Sequence, residues 1–245
     1  MKHKKFAFTM SEVLITLGVI GVVAAMTLSP LIENYQKTVW VKQLQKNYST
    51  INQAFKMMLA DDGVEFLSHT KTFNSMTGSE CRHSTNINNC RDFYDNLEKY
   101  IKISSIGNIN YKYTFLPKNT KTYTWNQKAI TLANGAIMYD YYFGKNPSVK
   151  ANITMKGKMG FFYIDINGKK KPNKVGRDAW RFVIDNSGII YPDGSEAVSE
   201  QETGNSTKEG YYWKTSTNPW YSCNSSSSYG QGCTARVLEE GKMNY

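Results

Sequence analysis

Histidine is nearly absent: three in 245 residues, of which only His69 and His83 lie beyond the first seven. Both sit in polar, loop-like stretches without a neighbouring acid or nucleophile. There is no Gly-x-Ser-x-Gly elbow, no glycine-rich loop ending in Lys-Ser or Lys-Thr, and no His-Glu-x-x-His. These gaps argue against a serine hydrolase, a phosphate-loop nucleotidase and a zinc protease of the common kinds, and we expect no enzyme. The chain also lacks internal repeats and any second domain boundary. Its sharpest gap is in charge. No charged residue occurs from Val13 to Ile32.

That uncharged run is what the chain has most clearly. As a helix, 20 residues span about 30 Å, the thickness of a bilayer's hydrocarbon core. Lys2, Lys4 and Lys5 precede it, and one acid, Glu12, stands at its head. A carboxylate in such a segment is costly, about 3 kcal/mol near a membrane helix centre and less near an interface. Such a residue is expected to have a partner. A cleaved secretory signal has a shorter, unbroken apolar core, and an ordinary signal anchor has no use for Glu12.

The run Phe6-Ala7-Phe8-Thr9-Met10-Ser11-Glu12-Val13-Leu14-Ile15 resembles the processing and methylation segment of type IV prepilins and type II secretion pseudopilins. The resemblance covers about the first 30 residues. It implies a leader of residues 1–7, cut between Ala7 and Phe8 by a prepilin peptidase that then N-methylates Phe8. Ala7 stands where the family has glycine. Glu12 becomes the fifth mature residue and serves assembly by pairing with the terminal amine of a neighbouring subunit. Further implied partners are other pilin or pseudopilin subunits, an inner-membrane platform protein and an assembly ATPase. The implied location is the inner membrane, single-pass with the C-terminal domain in the periplasm, and then a pilus or pseudopilus. The competing reading is a monomeric, membrane-anchored adhesin or binding module.

Leu44, Tyr48, Ile51, Phe55 and Met58 recur at helical spacing, so the helix is expected to continue amphipathically over 33–62 after a membrane segment at 8–32. Asp61-Asp62-Gly63 ends it. Pro30 predicts a kink or local break. Gly18 and Gly21 weaken the helix or allow close packing of neighbouring helices. Residues 63–245 read as one β-rich domain, with a short helix over Asp92–Ile103. Strands are expected at Tyr111–Leu116, Tyr123–Trp125, Ala129–Leu132, Ile137–Phe143 and Met159–Ile166. Trp180–Asp185 and Ile189–Tyr191 form a hairpin around Asn186-Ser187-Gly188. The tail from about Ser195 reads as loop. The fold class is therefore α+β: a long N-terminal helix packed on an antiparallel sheet, the arrangement that the resemblance also implies.

Net charge is +10, and removing residues 1–7 with their three lysines leaves +7. The lysines are dispersed among acids, which reads as a solvated surface. Lys169–Lys171 is the only compact basic cluster, a poor footprint for nucleic acid. Cys81, Cys90, Cys223 and Cys233 form two close sequence pairs behind an export segment, which suggests disulfide-closed loops. Three pairings are possible and the local one is the most economical. Asp165, Asn167 and Asp178 supply oxygen ligands on a turn-rich loop, a possible calcium site such as some pseudopilins carry. Against it, the loop lacks the full EF-hand ligand series and three lysines follow. Asn167-Gly168 alone is a hairpin-turn signal. No other cofactor is indicated.

Overall fold

A computed structural model describes residues 9–78, 80–82, 87–116, 121–148, 157–196, 212–214, 216, 218–219, 221–223 and 229–245. The chain divides into two compact units, Met1–Val39 and Trp40–Tyr245.

Helix α1 runs Met10–Asp62 and is unbroken through Pro30. The local break expected there does not occur. It ends as its sequence dictates, with Gly63 at φ +64°, the left-handed conformation glycine adopts without steric cost. From Trp40 onward the helix buries one stripe: Trp40, Val41, Leu44, Ile51, Phe55 and Met58, with Tyr48 half-buried beside them. This is the predicted face, widened toward Trp40.

After α1 come α2 (Lys71–Asn74), β1 (Glu80–Arg82) and α3 (Arg91–Leu97). The strands follow: β2 (Ile103–Asn108), β3 (Tyr111–Tyr113), β4 (Tyr123–Trp125), β5 (Lys128–Leu132), β6 (Ile137–Ser148), β7 (Lys158–Asp165), β8 (Ala179–Asp185) and β9 (Ile190–Pro192). Helix α4 (Cys233–Glu240) closes the described chain. The main sheet is antiparallel in the order β2-β5-β6-β7-β8-β9, with β1 pairing β6 beyond the end of β5. β3 and β4 form a separate hairpin. The fold is thus α+β, with a long apolar N-terminal helix and a C-terminal antiparallel sheet domain.

One face of the sheet takes the C-terminal half of α1. Tyr48 stacks on Phe182 at 5.6 Å, and its hydroxyl donates to the Ile190 carbonyl at 3.0 Å. Phe55 packs on Phe143. Asn52 Oδ1 accepts from the Ile190 N–H, and Asn134 donates to Asn47 Oδ1. The opposite face carries a second, tyrosine-rich core in which Tyr111, Tyr113, Phe115 and Tyr123 meet Ile137, Tyr139 and Tyr163.

Several expectations need correction. The helix over Asp92–Ile103 stops at Leu97, because Ile103 instead pairs with Leu132 as the start of β2. The Tyr111–Leu116 strand is confined to Tyr111–Tyr113. The tail is not all loop: α4 buries Cys233, Thr234, Ala235 and Val237, and Gly241 at φ +66° caps its C-terminus. Asn167-Gly168 is not a two-residue hairpin. It turns the chain at the start of the long β7–β8 connection. Gly168 is required there, since at φ +74° a Cβ would strike the Gly135 carbonyl oxygen.

Candidate functional site

The first described residues form a reciprocal helix cap. Thr9-Met10-Ser11-Glu12 has the spacing in which an N-cap hydroxyl and a carboxylate three residues later satisfy each other's main chain. Thr9 Oγ1 accepts the Glu12 N–H at 3.2 Å. Glu12 Oε2 accepts the Thr9 N–H and the Thr9 hydroxyl, each at 2.9 Å. The carboxylate also lies at the positive end of the helix dipole. Glu12 therefore has a partner inside its own chain, one that the sequence reading overlooked although the Thr-x-x-Glu spacing signals it. Ala7 and Phe8 lie outside the described residues, so the processing and methylation calls are not placed.

Past Glu12, the apolar helix is bare. Leu14, Ile15, Leu17, Ile20, Met26 and Leu31 are each 60% exposed or more. α1 is long and apolar enough to cross a membrane, and none of its most apolar window is buried. The polar side chains in this stretch are quenched locally. Thr16 donates to the Val13 carbonyl, Thr27 to Val23 and Ser29 to Ala25. Hydroxyls bonded back to the helix are what a lipid surrounding demands, since hydrocarbon offers no partner. An ion pair, Lys37 with Glu33 at 3.1 Å, marks the return of charge. At Gly18 and Gly21 an added Cβ would meet nothing within 4 Å. Nothing within the described chain thus requires glycine at either position.

The second predicted cluster does assemble. Asp165 at the end of β7 and Asp178 just before β8 are both fully buried, with half-buried Asn167 between them. Asp165 accepts a short hydrogen bond from the Tyr111 hydroxyl and one from the Asn167 N–H at 3.0 Å. Asp178 accepts from the main-chain N–H groups of Asn173 at 2.9 Å and Lys174 at 2.6 Å, and from the Asn167 amide at 3.1 Å. Burial, then the neighbouring Asp178 charge, push Asp165 up to about 8, although the Tyr111 and main-chain hydrogen bonds oppose this. Burial also raises Asp178, against its own hydrogen bonds. N–H and O–H donors occupy the lone pairs that a calcium ion would need. Among the described residues no group of three or more His, Cys, Asp or Glu is placed to hold a metal. The buried Asn167 and Asn173 side-chain oxygens make no hydrogen bond. Tyr111 is the member that the sequence reading did not include.

Both disulfides are local, Cys81–Cys90 and Cys223–Cys233. The first fixes β1 to the start of α3, and the second ties the segment before α4 to its first turn. His69 is exposed and meets Phe66 edge-on; His83 lies outside the described residues. Comparison with protein-family models, with curated proteins and with solved structures returns no match.

Proposed function

We propose that the chain is a pilin-like structural subunit, processed before Phe8, N-methylated there, and assembled into a type II secretion pseudopilus or type IV pilus. The observation that carries this reading is the bare apolar half of α1, headed by a single acid, on a helix whose other half is committed to a folded domain. Gly18 and Gly21 support it, because small residues with no role in their own chain let neighbouring helices approach closely. In this reading the apolar helices form a filament core and the sheet domains lie outside. The partners are a prepilin peptidase, sister subunits, a membrane platform protein and an assembly ATPase, and the domain faces the periplasm before assembly. The mature subunit performs no chemistry.

The capping box favours a second reading, a single anchored extracytoplasmic binding module, because it satisfies Glu12 without a neighbour. Three variants separate the two. Glu12→Gln keeps an N3 side chain able to cap but removes the charge. Thr9→Ala removes the cap and keeps the charge, costing about 1 kcal/mol of local helix stability. Glu12→Ala removes both. Filament function predicts that Glu12→Gln and Glu12→Ala lose subunit incorporation into sheared surface fibres while Thr9→Ala retains it. The second reading predicts that the parent itself is absent from sheared fibres, and that Thr9→Ala and Glu12→Ala loosen the start of the helix while Glu12→Gln does not.

A further inference from the structure

We infer that the end of the sheet domain at which α1 enters is a docking surface for anionic lipid headgroups. Lys42 and Lys46 on α1 form it together with Lys169, Lys170 and Lys171 in the β7–β8 connection. All five belong to the Trp40–Tyr245 unit, and all five are exposed.

The fold gathers lysines that the sequence scatters. α1 runs past the sheet, and its contacts show which end is which. Asn47 accepts from Asn134 in the β5–β6 turn at 2.9 Å. The β8–β9 turn lies further along the helix, with Gly188 beside Phe55 and Leu59. The β7–β8 connection shares the first end, because a Cβ on Gly168 would lie 2.5 Å from the Gly135 carbonyl oxygen. Lys169–Lys171 follow Gly168 directly. Lys46 precedes Asn47, and Lys42 lies about one helical turn earlier.

These charges are unspent. Among the described residues none of the five lysine side chains makes an ion pair. The acids of the β7–β8 connection do not cancel them. Asp165 and Asp178 are buried and hydrogen-bonded, and burial pushes Asp165 up to about 8, so it carries little charge at neutral pH. One opposing charge is the C-terminal carboxylate of Tyr245, whose hydroxyl donates to the Gly176 carbonyl at 2.7 Å. The Arg177 charge acts on that same residue.

The chain keeps this end close to a bilayer. Trp40 follows Ile32, the last residue of the uncharged run, by eight residues, about 12 Å at helical rise. Tyr35, 70% exposed, lies between them, an aromatic of the kind that sits at headgroup level. Helical side chains lean toward the N-terminus, here toward the apolar run, and a lysine stem can carry its ammonium back to an interface. Charge acts over a screening length of about 8 Å, and an anionic leaflet favours each lysine at its surface about fivefold. The short tether selects lipid over a free polyanion. The inference rests on the membrane span alone, which a filament subunit before assembly and a lone anchored domain share.

The test uses the full chain with its lysines carbon-13 dimethylated, a change that keeps their charge. It is placed in nanodiscs of phosphatidylcholine, or of phosphatidylcholine with one-third phosphatidylglycerol. A nitroxide on some headgroups broadens the NMR signal of any lysine that comes near. We expect the broadening of the five lysines to be at least twofold greater in the anionic discs and to fall back in high salt. Lys56, exposed near the other end of the docked helix, should not change. Replacing Lys169, Lys170 and Lys171 by glutamine should at least halve the excess at Lys42 and Lys46, with an unchanged thermal midpoint. If the midpoint shifts, Lys42→Gln with Lys46→Gln, read at Lys169–Lys171, serves instead. Equal broadening in both discs overturns the inference, as does a rise at Lys56 matching that of the five. So does a pair of variants that leave the remaining lysines as in the parent. Release of all five by soluble polyphosphate at unchanged ionic strength also overturns it, because the surface then prefers a free polyanion. A chain that does not enter the discs overturns the anchor as well.

Discussion

Asp165 is a buried acid whose proton the fold should retain across much of the physiological range. In the unfolded chain it titrates near about 3.9, and in the fold at about 8. Between those values the folded protein holds a proton that the unfolded chain has lost, so stability must fall as pH rises. The contribution is complete below about pH 4 and is lost by the time pH passes about 8. At about 1.4 kcal/mol for each pH unit, ionising Asp165 in place costs of order 5 kcal/mol. Asp178, also raised, acts in the same direction. Asp165→Asn mimics the protonated acid: its oxygen can accept the Asn167 N–H and its amide can donate to the Tyr111 hydroxyl oxygen. Urea unfolding of the full chain in micelles, followed by tryptophan fluorescence with fully buried Trp180 as a reporter, measures both proteins from pH 5 to 8. The stability of the parent relative to Asp165→Asn should drop by about 4 kcal/mol over that range. A difference that stays constant, or grows with pH, refutes the reasoning. Calcium belongs in the same titration. A cation between Asp165 and Asp178 needs the ionised forms, so it would raise the midpoint most at the alkaline end; an unmoved midpoint removes the calcium reading.

Two further predictions concern the domain. Phe55 is 1% exposed between α1 and Phe143, so Phe55→Ala should cost about 3–5 kcal/mol in urea unfolding; a loss below 1 kcal/mol would mean that α1 does not dock there. Replacing Cys223 and Cys233 by serine opens a loop with a sequence separation of 10, and chain entropy puts the cost at about 3 kcal/mol. Equal stability under oxidising and reducing conditions would contradict that bridge.

The long-period features were legible from the residues. The stripe Leu44–Met58 lies on one helical face and is buried or half-buried. The hairpin at Asn186-Ser187-Gly188 forms where the turn residues place it, with Gly188 at φ +75°. Elements set by tertiary pairing were not legible. β2 has the sequence Ile-Ser-Ser-Ile-Gly-Asn and, among the described residues, pairs with β5 alone; its serines and glycine carry no strand propensity. β1 is three residues long, too short to signal itself, and is defined by its pairing with β6, where Cys81 lies opposite Phe143. α4 is signalled by Val237 and Gly241, but the serine-rich run before it reads as loop and hides it. At the candidate site, the cost of Glu12 in lipid points outward to a partner, whereas the Thr-x-x-Glu spacing points to the local cap that forms with Thr9. The Asp165 cluster was found from ligand chemistry, but its Tyr111 partner is 54 residues away in sequence, beyond any spacing argument.

The most direct test of the central claim is the mass of the N-terminal peptide of the protein purified from its own membranes. A filament subunit processed as proposed gives a peptide beginning at N-methylated Phe8. A peptide that still begins at Met1 or Lys2, or one that begins beyond residue 25, contradicts it.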